Sequence, residues 1–261
     1  MKLIDSHAHY DDRRFREEFE GGRDAALRLS FDAGVEAVIN VATKRKNILT
    51  TLELAEKYEN VYAAIGYHPN DCQELDENEI ECELSFVEET LAHKKVVAIG
   101  EIGLDYHYDG TMKERQHYFF EKQIEMALRH DLPVIVHDRD AHGDSLEIVK
   151  KYKGVKGVFH SFSGSAEMAR ELLDLGWYIS FGGPVSYKNA NSVKRAAASV
   201  PLDRILIETD CPYLPPVPHR GKINYSAYMF HTLTALAEAM GYDDETVAKA
   251  TVENTKRLFG I

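Results

Sequence analysis

Short apolar runs rich in β-branched residues recur eight times along the chain, at 2–5, 35–41, 61–65, 96–100, 134–136, 157–159, 178–181 and 205–207. Runs of this length with no polar alternation read as strands buried on both faces, which is the mark of a parallel sheet covered by helices. Between them the apolar positions follow helical spacing. The segment 13–33 carries Phe15, Phe19, Leu27 and Phe31, and 112–129 carries Phe119, Phe120, Ile124 and Leu128. Segments 48–58, 79–92, 144–152, 166–175, 190–199 and 228–240 continue the series, and 243–259 closes it.

Two architectures satisfy eight strand–helix alternations, a doubly wound open sheet and a closed barrel. Units of roughly 30 residues favour the barrel. The expectation is an α/β fold, a TIM-like (β/α)8 barrel, with residues 1–261 forming a single domain. No linker or low-complexity stretch divides the chain, and the Pro-dense segment 212–218 is too short to do so.

The polar residues at the strand ends carry the chemistry. The first strand runs into Asp5-Ser6-His7-Ala8-His9, and residues i and i+2 of a strand face one side together. Two converging imidazoles either share a divalent metal or are hydrogen-bonded core histidines. The other strand ends are Gly66-Tyr67-His68-Pro69, Gly100-Glu101-Ile102-Gly103-Leu104-Asp105-Tyr106, His137-Asp138-Arg139, His160-Ser161-Phe162-Ser163-Gly164 and Glu208-Thr209-Asp210. A parallel barrel delivers all of these to one face, so His7 and Asp210 meet although they lie at opposite ends of the chain.

The donors suffice for two divalent ions. His7, His9, Glu101 and Asp210 suit one, and Glu101, His137 and His160 the other, with Glu101 bridging. Such a pair acidifies a shared water, and Asp210 is the candidate general base. For each carboxylate taken alone, a buried salt bridge is the competing reading. The mixed nitrogen and oxygen set suits Zn²⁺, Mn²⁺, Ni²⁺ or Fe²⁺ more naturally than Mg²⁺, although spacing does not choose the ion. His68 has no metal partner in this scheme. It is a candidate to contact substrate or to protonate a leaving group, with a structural role as the alternative. Cys211, next to Asp210, reads as a core thiol pointing the other way.

Cations follow several strands. Lys44-Arg45-Lys46 reads best as solvated surface, whereas Arg220-Gly221-Lys222 and Arg139 are candidate substrate contacts. Tyr187 and the Tyr106-His107-Tyr108 cluster lie on loops of the same face, where they either stack on a base or sugar or pack. His93, His117, His130 and His231 fall in helical segments and read as solvated, and Trp177 reads as packing.

Composition narrows the classes. The chain has 261 residues, 44% hydrophobic and 28% charged, and a formal net charge of −12. That balance excludes disordered and collagen-like chains and argues against passive coating of DNA, which positive charge drives. No apolar run approaches the ~20 residues of a membrane span. The start, Met1-Lys2-Leu3-Ile4-Asp5, has no apolar leader core, and Cys72, Cys82 and Cys211 show no C-x-x-C spacing. Both features set the expectation of a cytoplasmic protein with no membrane association and no obligate protein partner.

Taken together, the strand-end motifs resemble those of the TatD-type metal-dependent deoxyribonucleases, within the wider amidohydrolase-like barrels. Glu208-Thr209-Asp210-Cys211-Pro212-Tyr213-Leu214 and Arg220-Gly221-Lys222 complete the match, in the family's order across nearly the whole chain. The resemblance implies a binuclear barrel that hydrolyses phosphodiesters with divalent metals such as Mg²⁺, Mn²⁺ or Zn²⁺, often as a 3′→5′ exonuclease on DNA. It implies metal ligands at His7, His9, Glu101, His137, His160 and Asp210, and phosphate contacts at His68 and Arg220. One stretch departs from the pattern: Asn224 is followed by Tyr225-Ser226 where the family usually has Glu-Pro. Two rivals share these motifs. One is a hydrolase of an amide, lactone or aminoacyl ester, including an aminoacyl-tRNA deacylase. Against it, related amidohydrolases often bridge their metals with a carboxylated lysine on strand four, which here ends in Glu101. The other is a metal-binding interaction protein without catalysis, which the complete ligand set disfavours.

Overall fold

The computed structural model describes residues 1–261. Eight parallel strands follow one another in chain order: β1 (Leu3–Ala8), β2 (Val35–Val41), β3 (Val61–Ile65), β4 (Val96–Asp105), β5 (Val134–Arg139), β6 (Gly157–Phe159), β7 (Tyr178–Phe181) and β8 (Ile205–Ile207). Around them lie α1 (Arg13–Glu18), α2 (Gly22–Ala33), α3 (Arg45–Lys57), α4 (Ile80–Thr90), α5 (Lys113–His130), α6 (His142–Lys151), α7 (Ala166–Asp174), α8 (Asn191–Ser199), α9 (Met229–Met240) and α10 (Asp244–Phe259). This is the TIM-like barrel that the hydrophobic pattern predicts. No helix is long and apolar enough to cross a membrane.

The barrel closes through the backbone that follows β8. The Asp210 N–H donates to the His7 carbonyl at 2.9 Å, and the His9 N–H to the Cys211 carbonyl at 2.8 Å. Asp5 is buried at this seam, where its carboxylate accepts from the Thr209 N–H (3.0 Å), the Thr209 hydroxyl (2.6 Å) and the Ser226 hydroxyl (2.6 Å). The stretch that departs from the family pattern is therefore anchored. Ser226 also pairs with the Tyr10 hydroxyl at 2.8 Å, and the Asn224 amide donates to the carbonyls of Thr209 and Tyr213.

Alternating strand residues divide inside from outside. Val38, Ile65, Ile99, Val136, Phe159, Ile179 and Ile207 pack outward against helices. Ile39, Ala64, Ala98, Ile135, Val158 and Leu206 fill the lumen together with Leu258 and Phe259 of α10. That end of the barrel is a dry apolar plug, and the polar residues collect at the other.

Several elements differ from the sequence expectation, and β1 and β5 each end three residues beyond the apolar runs 2–5 and 134–136. The single helix expected over 13–33 is two, because Gly21 and Gly22 adopt φ of 77° and 69° and turn the chain between α1 and α2. β4 runs ten residues and not five, so Glu101 lies inside a strand and not at its end. His93 follows α4 and does not lie in it. Two register shifts bear on the site. Asp5 and Ala8 pair with Val38 and Asn40, and Ile99 and Ile102 pair with Val134 and Val136, so β1 and β4 each carry one extra residue. The extra residues fall around His7 and Glu101. A bulge re-aims a side chain at such a point.

Gly103 of β4 pairs with His137 of β5, and there φ is 137° and an added Cβ would overlap the His137 carbonyl. Gly103→Ala is therefore expected to cost about 3 kcal/mol through overpacking and backbone strain. A urea-unfolding midpoint indistinguishable from wild type would contradict this close packing.

Candidate functional site

At the polar end of the barrel, β1, β4, β5, β6 and the segments after β3 and β8 bring five imidazoles and two carboxylates of the sequence-predicted set together. The Nε2 atoms of His7 and His9 are 3.0 Å apart. Glu101 Oε2 lies 3.5 Å from both, and Asp210 Oδ1 lies 3.8 Å from His7 and 3.4 Å from His9. The other oxygen of Glu101, Oε1, lies 2.7 Å from His137 Nδ1 and 2.8 Å from His160 Nε2. The two donor sets thus meet at one carboxylate, which gives an oxygen to each. His68 Nε2 stands 3.6 Å from Oε1, beside the second set.

Each of three imidazoles is held from behind. His9 Nδ1 donates to the Val41 carbonyl at 2.7 Å. His137 Nε2 faces Asp105 Oδ2 at 3.3 Å, and His160 Nδ1 faces Glu208 Oε1 at 3.3 Å. With the outer nitrogen donating, the inner nitrogen of each ring presents a lone pair to the cluster, the arrangement common to metal-binding histidines. Asp105 is itself fixed by the Asn70 amide at 2.8 Å and the His107 N–H at 3.0 Å. Glu208, fully buried, also accepts from the Ser161 N–H at 2.7 Å. Two residues at the site hold left-handed backbone that non-glycine residues rarely adopt, Asp210 at φ 56° and Ser161 at φ 43°.

The electrostatics match. Burial drives the Glu101 carboxyl upward, but the imidazoles of His160, His68 and His7 override it and hold the group well below the carboxylate range. Burial also opposes ionisation of Asp210, and His9, His7 and His160 again reverse the balance. The carboxylates act back on the imidazoles. Against burial, Asp210 and Glu101 lift His9 to about 10, and Glu101 and Glu208 lift His160 well above its ordinary value. The cluster thus demands positive charge beside its carboxylates. Protons on the inner ring nitrogens supply it when no cation is there, and the convergent nitrogen and oxygen donors fit a divalent cation in their place.

The family model described as TatD related DNase matches residues 4–260. The chain belongs to the TatD family of metal-dependent hydrolases. It is 41% identical to the metal-dependent hydrolase YabD of Bacillus subtilis over 99% of each chain. It is 39% identical to the metal-dependent hydrolase YcfH of Escherichia coli over 100% of this chain and 97% of that one. The crystal structure of the TatD homologue YjjV of E. coli superposes with a TM-score of 0.91 at 33% identity, covering 99% of this chain and 98% of the other.

The remaining sequence candidates separate into paired and free cations. Lys44 binds Asp71 at 2.5 Å, and Arg45 binds Glu83 at 2.8 Å and lies 3.8 Å over the Phe86 ring, so neither is free. Arg139, Arg220 and Lys222 are exposed and form no ion pair. Arg139 lies 5.6 Å over Tyr108, and Arg220 lies 4.0 Å over Tyr187. Cys211 is a buried core thiol, as expected. Trp177 packs on Phe159 with centroids 5.3 Å apart. His231 is exposed, as expected, with its Nε2 3.0 Å from that of His219.

The sequence reading gives no role to Asp105 or Glu208 in this TatD-family site, although both lie in its quoted motifs. Their signal was a surplus, since the strand ends carry more buried carboxylates than ligation needs. Metal-stripped protein is expected to gain about 2.7 kcal/mol of stability when Mn²⁺ is added at a hundred times its Kd. Asp105→Ala is expected to weaken Mn²⁺ binding about ten- to a hundredfold by calorimetry, because it frees the His137 ring. Unchanged unfolding on Mn²⁺ addition would count against a metal at this cluster.

Proposed function

We propose that this TatD-family hydrolase is a divalent-metal-dependent phosphodiesterase that acts on DNA ends and removes nucleotides in the 3′→5′ direction. The observation that carries the reading is the coincidence, on one barrel face, of a buried carboxylate shared by two donor sets and cations without a counter-charge, Arg139, Arg220 and Lys222 among them. On a chain with a formal net charge of −12, Arg139, Arg220 and Lys222 are exposed on the face that carries the imidazole cluster and form no ion pair there. A phosphodiester gathers negative charge as it is attacked, which such cations stabilise, whereas a neutral amide or lactone has less use for them. The family description, TatD related DNase, supports the same substrate class.

In this reading His7, His9, Glu101 and Asp210 would hold one divalent ion, and Glu101, His137 and His160 a second. When bound, such a pair acidifies water and neutralises charge on the phosphoryl group. Asp210, an ionised carboxylate of the cluster, accepts the proton of the attacking water. His68 works as a neutral group. Burial pushes its imidazole down to about 3, and the Asn70 N–H donates to its Nδ1 at 3.1 Å. Its proton therefore sits on Nε2, which donates a hydrogen bond to a phosphoryl oxygen. An imidazolium acid at this position is disfavoured by the same burial. Arg139, Arg220 and Lys222 draw the polyanion to the mouth of the barrel and orient it.

The test uses 5′-end-labelled single-stranded DNA and metal-stripped protein. Adding Mg²⁺ or Mn²⁺ is expected to produce a ladder of progressively shorter labelled strands, and Asp210→Asn to lower kcat by about a thousandfold with the fold intact. Absence of product with every divalent ion, beside turnover of an aminoacyl ester or an amide, would show that the water attacks carbon and not phosphorus.

A further inference from the structure

Tyr187 is the aromatic residue of the catalytic face that the function above does not use. It lines a cavity of about 420 Å³ with Pro184, Lys188, Asn189, Val193 and Arg220. The cavity lies between the loop that follows β7 and the loop that follows β8, both on the face that carries the imidazole cluster. Two contacts fix its walls. The Tyr187 hydroxyl donates to the Pro215 carbonyl at 3.1 Å, and Gly183 packs so closely against the Leu214 carbonyl that a Cβ would overlap it.

Its chemistry differs from that of the rest of the rim. Pro184, Val193 and the half-buried Tyr187 ring supply flat apolar surface. Arg220, 4.0 Å over that ring, and Lys188 are exposed and pair with no carboxylate. In the other aromatic cluster of this face the Tyr106 hydroxyl donates to Asp144 at 2.7 Å, His107 Nδ1 faces Asp140 at 2.8 Å, and Tyr108 is exposed beneath Arg139. Apolar walls, an aromatic ring with Arg220 over one face and two uncompensated cations match one class of ligand, a nucleotide unit with a flat base or sugar and an adjoining phosphate.

We propose that this cavity is a binding subsite for a nucleotide of the polynucleotide strand next to the one being removed, so that it sets affinity for strands and not for small diesters. The proposal rests on the phosphodiesterase reading above. Lys188 and Arg220 take the phosphate, and Tyr187 with Val193 takes the base or sugar. A small diester reaches the imidazole cluster and Arg220 and gains nothing from Lys188.

The experiment compares a single-stranded oligonucleotide with bis(p-nitrophenyl) phosphate as substrates of the metal-loaded wild type and of Lys188→Ala, Lys188→Arg and Tyr187→Ala. For the oligonucleotide, Lys188→Ala and Tyr187→Ala are expected to raise KM about tenfold with kcat unchanged. Lys188→Ala is also expected to lower the slope of log KM against log salt by about 0.7, the loss of one phosphate contact to a single strand. Lys188→Arg restores both, and turnover of the small diester stays at the wild-type level in both Lys188 variants. An unchanged oligonucleotide KM and salt slope in Lys188→Ala, which alters only an exposed side chain, overturns the subsite and leaves the phosphodiesterase reading intact. Equal losses on both substrates also overturn it, since they mark a structural role. Hydrolysis of neither substrate by the wild type is a different failure, and it removes the phosphodiesterase reading itself.

Discussion

A carboxylate buried among imidazoles governs the polar end of this barrel. Glu101 is 3% exposed, and each of its oxygens lies within 3.5 Å of at least one imidazole nitrogen. An unpaired charge in such a place is expensive, and removing one partner of a buried set leaves the others uncompensated. The groups around Glu101 therefore have to arrive together. Only a fold that brings His7, His137, His160 and Asp210 to one point from separate strands can bury it, and the barrel with its closing seam after β8 does so. The hydrogen bond from the Asp210 N–H to the His7 carbonyl is at once the closure of the barrel and the positioning of a ligand candidate.

The fold serves that constraint in layers. The apolar plug of lumen residues with Leu258 and Phe259 seals the far end, so the polar residues have one exit. Bulges in β1 and β4 aim His7 and Glu101. Behind them the Val41 carbonyl, Asp105 and Glu208 fix three rings and decide which nitrogen faces inward. The unusual backbone at Asp210 and Ser161 lies where the packing around it is most dense in hydrogen bonds, which is where strain is tolerated. Positioning, charge and stability are thus handled by the same residues.

Much of this was legible in the sequence, because parallel topology converts strand-end residues into neighbours without any need for detail. The eight apolar runs mark the strands, and the alternation of His-x-His, Gly-Glu-x-Gly and Glu-Thr-Asp at their ends marks the polar mouth. Other features have no such signal. Periodicity reads straight through Gly21-Gly22, since the apolar positions of α1 and α2 keep a common spacing although the backbone turns between them. The length of β4 is hidden because Glu101 and Asp105 look like the end of an apolar run, when burial inside a polar lumen lets the strand continue. Carbonyl partners such as that of Val41 depend on register, which a bulge changes by one residue. Free and paired cations look alike in sequence, and only geometry separates Arg220 from Arg45.

We propose that Glu101 joins two metal sites into one. Electron paramagnetic resonance of the metal-stripped protein reloaded with Mn²⁺ tests it most directly. Two manganese ions per chain with the multiline spectrum of an exchange-coupled pair, replaced in Glu101→Gln by the signal of isolated ions, is the predicted result. One ion per chain, or two that remain magnetically independent in the wild type, would contradict a carboxylate shared between them.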